Sequence, residues 1–505
     1  MNKKILSKLE LIKIVKRARR LKKKIILCHG VFDLVHLGHI LHFQSAKKYG
    51  DILIVSITKD KFIKKGLGRP LFNEQQRLVY LSNLTLIDYV FLCETESAEE
   101  SIKLIKPNFY IKGEDYKENK LDKTKKIVLE KKLVKSFGGK FVYTNERSFS
   151  STNIINKSYS LLNSEQLQFI ESIKRKFSYS DIKKKLIELN SLKVLVIGEL
   201  IVDRYNFGSV IGKSAKEPHL VFKSEFVENY IGGSGAIARH IKTFVKNIFI
   251  LTSFGTRKED FYNEIVKELK GMDIYNIKNF KNFGTIVKER FIDKITGYKV
   301  FGNYTLPFLR DSSLNKRFIR NYRYLSKKSD VSILSDFGHY FFEKKIADYI
   351  CSNSNFLCVN AQLNSSNSSH HSVSNYRGVN LLVVNESEIR QEVRDDISKI
   401  ENIGESFRKK NNIKSLIITR GSNGSLMFSG NEIFYCPAFA DKIKDKVGAG
   451  DAMLSIASLL LKVQTNPEII LLISSIASAK SLEGMGNKIS VTLNDIDRFL
   501  EYTFK

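Results

Sequence analysis

The segment Ile25–His39 reads IILCHGVFDLVHLGH, and its pattern decides the architecture of the first part of the chain. The four apolar residues Ile25–Cys28 form an unbroken run that predicts a buried β-strand, and a glycine-containing turn follows it directly. The next stretch, His39–Tyr49, has a helical pattern. A strand that runs through a glycine turn into a helix is typical of a parallel α/β sheet, whose carboxyl edge binds anionic ligands.

Strands and helices alternate on the carboxyl side of this segment. Further strands are predicted at Ile52–Ile57, Tyr89–Leu92, Phe109–Lys112 and Phe141–Tyr143, and the basic lead Ser7–Lys24 is predicted to be helical. We expect this first domain to span residues 1–158. Residues 159–192 contain neither Gly nor Pro and have helical periodicity at Ser164–Phe177 and Ser180–Leu189, so they predict a helical connector.

A second alternating region begins sharply at Lys193–Gly198 (KVLVIG) and continues to the end of the sequence. Its clearest predicted strands are Ser332–Ser335, Leu381–Val384 and Ser415–Thr419. The chain is therefore predicted to have an α/β fold with two parallel-sheet domains, the second spanning residues 193–505.

Composition limits the classes of protein that remain. The chain has 505 residues, 43% of them hydrophobic, which is enough for sizeable cores. No apolar stretch reaches the roughly 18 residues of a membrane span, and the basic start lacks the features of a signal peptide, so we expect a cytoplasmic protein without a membrane span. Five scattered cysteines without a CxxC pair predict reduced thiols: Cys28, Cys93, Cys351, Cys358 and Cys436.

The net charge of +30 allows two interpretations. A basic surface can bind nucleic acid, whereas a lysine-rich coding bias combined with sites for anionic substrates gives the same sum. Because no nucleic-acid-binding motif is visible, we favour the second interpretation and expect no nucleic-acid partner.

The first motif places two histidines at a helix start. His36 and His39 are three residues apart and so share one face of the first helical turn, and Gly38 between them lets a phosphate approach the backbone. Imidazoles in this position can donate hydrogen bonds to a nucleoside triphosphate. The alternative is that both histidines only cap the helix or bind a metal.

This motif resembles the signature of the cytidylyltransferase-like family, a strand followed by G-x-F-D-x-x-H-x-G-H. Three further segments match family motifs in order: Lys65–Pro70 with the following Arg77, Lys112–Tyr116, and Arg147–Thr152, in which Ser151 replaces a threonine. The resemblance covers about residues 22–158 and implies attack of a sugar or polyol phosphate on the α-phosphate of ATP or CTP, with Mg²⁺ screening the triphosphate. It implies catalytic roles for His36, His39 and Lys65, and nucleotide binding by Phe32, Asp33, Gly38, Lys112, Asp115, Arg147, Ser150, Ser151 and Thr152.

The second motif is Asp445–Asp451 (DKVGAGD), followed by the helical stretch Ala452–Leu461. Small residues at a helix start expose N–H groups that can bind a developing phosphoryl charge. A carboxylate directly behind them can take the proton of an attacking hydroxyl. The alternative is an ordinary loop with a capping aspartate.

The second region resembles the ribokinase-like (PfkB-type) carbohydrate kinases over about residues 193–500, a family with a small β lid. The resemblance makes Asp451 the catalytic base and makes Asn385 and Glu388 an indirect Mg²⁺ site. It assigns substrate binding to Asp203, Gly232 and Gly233, and phosphate or nucleotide binding to Thr419, Gly421, Gly424, Gly448, Ala449 and Gly450. Two departures are Ala236 and Lys446, which stand where the family often has asparagine and threonine.

Lys288 and Arg290 lie in a strand-like segment and are predicted to pair with a phosphate already on the substrate, although a solvated edge strand is an equal alternative. Together the two regions resemble the bifunctional sugar kinase and nucleotidyltransferases of ADP-heptose synthesis, with the domain order reversed. The implied partners are a sugar phosphate and a nucleoside triphosphate, and a homodimer is expected. Three alternatives stay open: a kinase and cytidylyltransferase for a polyol phosphate or another sugar, a chain with one non-catalytic half, or a nucleic-acid-binding protein.

Overall fold

A computed structural model of the chain describes residues 4–63, 70–113, 126–144, 162–214, 216–217, 219–257, 261–277, 284–306, 312–339, 341–363, 367, 369–441 and 443–504. The chain divides into two compact units, Met1–Asn163 and Ser164–Lys505. Each unit has its own sheets and its own hydrophobic core.

The described part of the first unit is built on one parallel sheet. Its strands are β1 (Ile5–Leu6), β2 (Ile25–Gly30), β3 (Ile52–Thr58), β4 (Tyr89–Cys93), β5 (Phe109–Gly113) and β6 (Lys140–Thr144), in the spatial order β1-β4-β3-β2-β5-β6. Its helices are α1 (Lys8–Arg20), α2 (Leu37–Lys47), α3 (Glu74–Ser82), α4 (Glu99–Ile105) and α5 (Lys126–Ser136). All neighbouring strands run parallel, so the predicted Rossmann-like architecture is confirmed.

Both faces of this sheet are buried, which explains the unbroken apolar run of β2. Ile25 and Leu27 contribute to a core cluster that also contains Leu11 of α1, whereas Ile26 and Cys28 contribute to a second cluster. Successive side chains of a strand point to opposite faces, so a strand covered on both sides needs an apolar residue at every position.

The second unit has a larger, mainly parallel sheet. Its strands are β7 (Lys193–Gly198), β10 (Asn247–Thr252), β11 (Asp273–Asn276), β14 (Val331–Asp336), β15 (Leu357–Ala361), β16 (Leu381–Asn385), β17 (Ser415–Thr419), β18 (Ser425–Ser429) and β19 (Glu432–Cys436). The spatial order is β11-β10-β7-β14-β15-β16-β17-β18-β19, and only β17, β18 and β19 pair antiparallel.

A separate sheet forms the predicted lid, which we call the lid sheet. Its strands are β8 (Leu200–Lys213), β9 (Leu220–Gly233), β12 (Ile286–Asp293) and β13 (Lys299–Thr305), in the order β13-β12-β8-β9. Because β12 pairs with β8 on one side and β13 on the other, the alternative that Lys288 and Arg290 lie on an edge strand is wrong.

The described part of the second unit also contains helices, and two of them are apolar on nearly all sides. The helices are α6 (Ser164–Lys176), α7 (Tyr179–Glu188), α8 (Ser234–Ile241), α9 (Tyr262–Glu268), α10 (Ser312–Ser326), α11 (Lys344–Asn353), α12 (Glu386–Val393), α13 (Ile400–Lys410), α14 (Ala449–Lys462), α15 (Pro467–Ser481) and α16 (Leu493–Phe504). α14 and α15 pack against each other, and most of their residues are buried. Within the described parts of the chain, we find no helix with the length and apolar character needed to cross a membrane.

Candidate active sites

The two histidines of the first motif lie at the start of α2, just beyond the carboxyl end of β2. The Nδ1 atom of His36 accepts a hydrogen bond from the Gly38 N–H at 3.1 Å, and the Nδ1 atom of His39 accepts one from the His36 N–H at 3.4 Å. The ring centroids are 4.0 Å apart. The histidines therefore do cap the helix, and because each Nδ1 is an acceptor, a neutral ring carries its proton on Nε2.

Phe32 and Asp33 shape the turn before these histidines. Phe32 has a positive φ of 47°, and its ring packs edge-on against His39 with 5.3 Å between centroids. Asp33 is buried, and its Oδ1 accepts a hydrogen bond from the Phe72 N–H at 3.0 Å. Asp33, a predicted nucleotide ligand, thus also anchors a neighbouring segment of the chain.

Arg77 ties together the loops at this edge of the sheet. Its side chain is fully buried and donates to the carbonyl oxygens of Val31 at 2.6 Å, Thr58 at 2.8 Å and Phe72 at 3.0 Å. It also forms an ion pair with Asp60 at 2.6 Å. A guanidinium with this many internal acceptors holds the loops in place.

Lys112, the predicted nucleotide ligand at the end of β5, is also largely buried. Its Nζ donates to the carbonyl oxygen of His29 at 3.1 Å and lies 3.9 Å from Glu130 Oε2. Burial lowers the pKa of His29 well below its usual range, so this imidazole is neutral, and its Nδ1 lies 2.8 Å from Ser56 Oγ. His29 supports the site, and its role is not evident from the sequence.

Several predicted residues of the first site lie outside the described residues. They are Lys65, Asp115, Arg147, Ser150, Ser151 and Thr152. Their implied roles in neutralising and binding the triphosphate stay predictions.

In the second unit, Asp451 lies in the first turn of α14 and is only 8% exposed. Burial and the negative charge of Asp203 raise the pKa of Asp451 to about 7, while the positive charge of Lys288 opposes this shift. A carboxyl group whose pKa lies near neutrality can exchange a proton with an attacking hydroxyl.

Asp203 is held from two sides at the beginning of the lid sheet. Arg290 forms an ion pair with it at 2.6 Å, and the Asn487 amide donates to its Oδ2 at 3.0 Å. A Cβ on Gly232 would lie 2.3 Å from Asp203 Oδ2, so only glycine fits there. The structure thus pairs Arg290 with Asp203, and Lys288 becomes the better candidate for binding a substrate phosphate.

Lys288 is 7% exposed, and among the described residues it has neither a hydrogen bond from its ammonium group nor an ion pair within 4.0 Å. Its Nζ lies 5.0 Å from the ring centroid of Phe337. Burial lowers the pKa of Lys288, although the charges of Asp203 and Glu199 act in the opposite direction. A buried cation without a direct anionic partner is suited to bind an anionic ligand.

Two family models match the chain. A Cytidylyltransferase-like model matches residues 27–157, and a pfkB family carbohydrate kinase model matches residues 191–463, more than half of the 505 residues. The chain belongs to the pfkB family of carbohydrate kinases. Its first part is cytidylyltransferase-like, so the predicted family of each part and their order are confirmed, while the predicted domain bounds stay predictions.

Two curated relatives match the first part of the chain. The chain is 41% identical over 133 residues to the Bifunctional protein HldE of Aliarcobacter butzleri, covering 26% of this chain and 28% of that relative. It is 38% identical over 157 residues to the protein of the same name from Campylobacter jejuni subsp. jejuni, covering 31% of each. The chain thus matches less than a third of the length of these relatives.

Among solved structures, the phosphofructokinase-2 from Escherichia coli has a TM-score of 0.51 at 12% identity, covering 62% of this chain and 100% of that chain. At this identity the likeness shows the fold of the pfkB-family unit. The larger sheet with its lid sheet is therefore ribokinase-like, as predicted.

The predicted nucleotide side of the pfkB-family site is at the ends of β16 and β17. Asn385 and Glu388 form a capping box at α12: Asn385 Oδ1 accepts the Glu388 N–H, and Glu388 Oε2 accepts the Asn385 N–H, each at 2.8 Å. Thr419 ends β17, and in the following turn Gly421 and Gly424 have positive φ values of 58° and 75°. These five residues cluster where adjacent parallel strands end.

The donor set at this edge fits an indirect role toward Mg²⁺. Burial raises the pKa of Glu388 to about 7, although the hydrogen bond from the Asn385 backbone opposes the shift. Among the described residues, no group of three or more His, Cys, Asp or Glu side chains could hold a metal ion. Mg²⁺ commonly binds through substrate phosphates, water and one or two carboxylates, which such a site allows.

Gly448 and Gly450 make different structural demands although they are two residues apart. Gly448 has a φ of 92°, and a Cβ there would lie 2.2 Å from Asn487 Oδ1, whereas a Cβ on Gly450 meets no atom within 4 Å.

We expect Gly448→Ala to lower the free energy of unfolding by about 1–3 kcal/mol through backbone strain. Gly450→Ala, the matched control, should leave it unchanged or raise it slightly, because alanine favours the helix. Thermal unfolding of both variants checks this, and equal transition temperatures would contradict it.

Proposed function

We propose that the chain is a bifunctional enzyme. Its pfkB-family unit phosphorylates a sugar phosphate with ATP, and its cytidylyltransferase-like unit transfers a nucleotidyl group from ATP or CTP to a sugar 1-phosphate and releases pyrophosphate. One observation supports the proposal in both units: the reactive side chains lie at the start of a helix. His36 and His39 lie at the start of α2, and Asp451 lies in the first turn of α14.

In the kinase reaction, Asp451 takes the proton of the acceptor hydroxyl as its oxygen attacks the γ-phosphorus of ATP. The bond from that phosphorus to the bridging oxygen breaks, and ADP leaves. The backbone N–H groups at Gly448–Gly450 stabilise the negative charge on the transferring phosphoryl group. Asp203, held by Arg290 and Asn487, orients the sugar, because a fixed carboxylate can accept hydrogen bonds from sugar hydroxyls.

In the nucleotidyl transfer, an oxygen of the sugar phosphate attacks the α-phosphorus of the nucleoside triphosphate, and pyrophosphate leaves. The Nε2–H groups of His36 and His39 donate to the phosphate oxygens as negative charge develops. Their Nδ1 atoms accept backbone hydrogen bonds, which fixes both the tautomer and the ring orientation. Mg²⁺, when bound with the nucleotide, would neutralise part of the triphosphate charge in both reactions.

Lys288 and the relatives of the first domain support a phosphorylated sugar as the acceptor. The buried ammonium of Lys288 provides charge for a phosphate already present on the acceptor. The first domain is similar in sequence to proteins named Bifunctional protein HldE, and this similarity supports a nucleotide-sugar product of the ADP-heptose type. We therefore propose a heptose phosphate as the acceptor and ATP as the nucleotide for both units.

The pH dependence of the kinase reaction follows from the pKa of Asp451. The base must be deprotonated, and its pKa is raised to about 7, so kcat should fall as the pH decreases below about 7. The fall should approach about tenfold for each pH unit. Measuring ADP formation between about pH 5 and pH 9 checks this. A kcat that stays constant down to about pH 5 would contradict Asp451 as the base.

The proposal is tested by offering the full-length protein pairs of sugars with and without a phosphate, together with ATP, and measuring ADP. Pyrophosphate is measured in parallel with sugar 1-phosphates and polyol phosphates, using ATP or CTP. We expect ADP only from phosphorylated sugars and pyrophosphate from a sugar 1-phosphate with ATP. Pyrophosphate from CTP and a polyol phosphate would instead identify a polyol-phosphate cytidylyltransferase.

A further inference from the structure

Asp445, the first residue of the second motif, is a buried carboxylate that binds residues from three parts of the pfkB-family unit. Its Oδ2 accepts hydrogen bonds from the Tyr205 hydroxyl at 2.5 Å and from the Gly486 N–H at 3.0 Å. Its Oδ1 accepts one from the Lys299 ammonium at 2.6 Å. Burial alone would raise the pKa of Asp445, but the bonds from Lys299 and Tyr205 hold it below its usual value.

Two of these donors come from the lid sheet. Tyr205 lies on β8, and Lys299 is the first residue of β13, which is at the end of the lid sheet's strand order. The Asp445 side chain is 1% exposed, whereas that of Lys299 is 41% exposed. The ion pair therefore joins an accessible residue of the lid sheet to a carboxylate inside the unit.

The ion pair between Lys299 and Asp445 matters because Asp445 is close in sequence to the anion-binding helix start. Asp445 precedes Gly448 by three residues and Asp451 by six, so it begins the segment that becomes the anion-binding helix start. Gly486 donates to Asp445, and the next residue, Asn487, donates to Asp203. A displacement of Asp445 would thus act on the segment at Gly448 and on the loop that holds the sugar-binding carboxylate.

We infer that Lys299 is a positioning residue that couples the placement of the lid sheet over the substrate to the geometry of the anion-binding segment. The inference rests on the proposed kinase function of this unit. When β13 is in place, Lys299 neutralises Asp445 and fixes the backbone between Asp445 and Asp451. When the lid sheet moves away, Asp445 loses this cation, and the backbone between Asp445 and Asp451 becomes less ordered. The N–H groups that bind the phosphoryl group are therefore ordered only when the lid sheet covers the substrate.

Lys294 provides a matched control in the same sheet region. It forms an ion pair with Glu225, but both members of this pair are exposed: 53% of the Lys294 side chain and 36% of the Glu225 side chain. Exposed ion pairs contribute little, so Lys294→Met removes the same charge from the lid region without touching Asp445. Lys299→Arg keeps a cation that can still reach the carboxylate.

The test compares Lys299→Met, Lys299→Arg and Lys294→Met in the full-length protein by amide hydrogen exchange over residues 446–450. We expect about tenfold faster exchange in Lys299→Met alone, because loss of an ordering contact promotes local opening. With the sugar phosphate that gives ADP, kcat should fall about tenfold with a smaller change in KM, and Lys299→Arg should recover most of it. Pyrophosphate release should not change.

Equal exchange rates in Lys299→Met and Lys294→Met would overturn the inference, as would a loss of kcat that Lys299→Arg fails to restore. The exchange measurement needs no substrate. If the wild-type protein forms no ADP with any sugar, the proposed kinase function fails, while the exchange rates still decide whether Lys299 orders the segment.

Discussion

Replacing Asp451 by asparagine is expected to lower the kcat of sugar phosphorylation by about a thousandfold, because asparagine keeps the shape of the side chain but cannot accept the proton of the hydroxyl. Nucleotidyl transfer should continue at the wild-type rate, since its residues belong to the other unit. ADP and pyrophosphate formation, measured in the same preparation, check both halves of this expectation. Loss of both activities would contradict independent sites.

The stability of the Asp451→Asn variant serves as its control. The folded-state pKa of Asp451 is about 7 against an ordinary value of 3.8, so the ionised carboxylate is disfavoured by folding. Its unfavourable contribution grows as the pH rises above 3.8 and is complete above about 7. The neutral amide should therefore leave Tm at about pH 8 unchanged or raise it. A variant that is inactive because it fails to fold would show a lower Tm instead.

Replacing His39 by alanine is expected to reduce nucleotidyl transfer by about a hundredfold or more, because the transition state loses a hydrogen-bond donor. Sugar phosphorylation should be unaffected. Pyrophosphate release with the sugar 1-phosphate and ATP measures the first effect, and ADP formation measures the second. Unchanged pyrophosphate release would show that His39 serves only as a helix cap.

Two further substitutions separate the catalytic role of His39 from its capping role. His39→Asn retains an acceptor near the position of Nδ1, so it should preserve the cap at the His36 N–H while removing the Nε2–H donor. We expect it to be as inactive as His39→Ala but closer to the wild type in Tm. His39→Gln can place an amide N–H near the position of Nε2 and should retain more activity than either.

Several inner strands of the two larger sheets could be predicted because burial on two faces requires continuous apolar runs, as at Ile25–Cys28 and Val194–Ile197. The lid sheet was implied only by the family resemblance. Its strands β8 and β9 are long and largely exposed over part of their length, so their sequences carry no such run. The two-residue strand β1 is too short for any pattern to indicate.

The residues of the candidate sites were likewise predictable from the sequence only in part. Local motifs indicated His36, His39 and Asp451, since the chemistry and the helix start lie within a few residues. The partners of these motifs were not predictable, because they meet only in the folded chain: Arg290 lies 87 residues from Asp203, and Asn487 lies 284 residues from it. The pairing of Arg290 with Asp203 also gives Arg290 a role different from that of Lys288, with which the sequence analysis had grouped it.

Nucleotide consumption by the full-length protein, offered heptose 7-phosphate and heptose 1-phosphate separately with ATP, tests the central claim most directly. The proposed function predicts ADP from heptose 7-phosphate and pyrophosphate from heptose 1-phosphate. Formation of neither product from either sugar would contradict the claim that this chain joins a heptose-phosphate kinase to a heptose 1-phosphate nucleotidyltransferase.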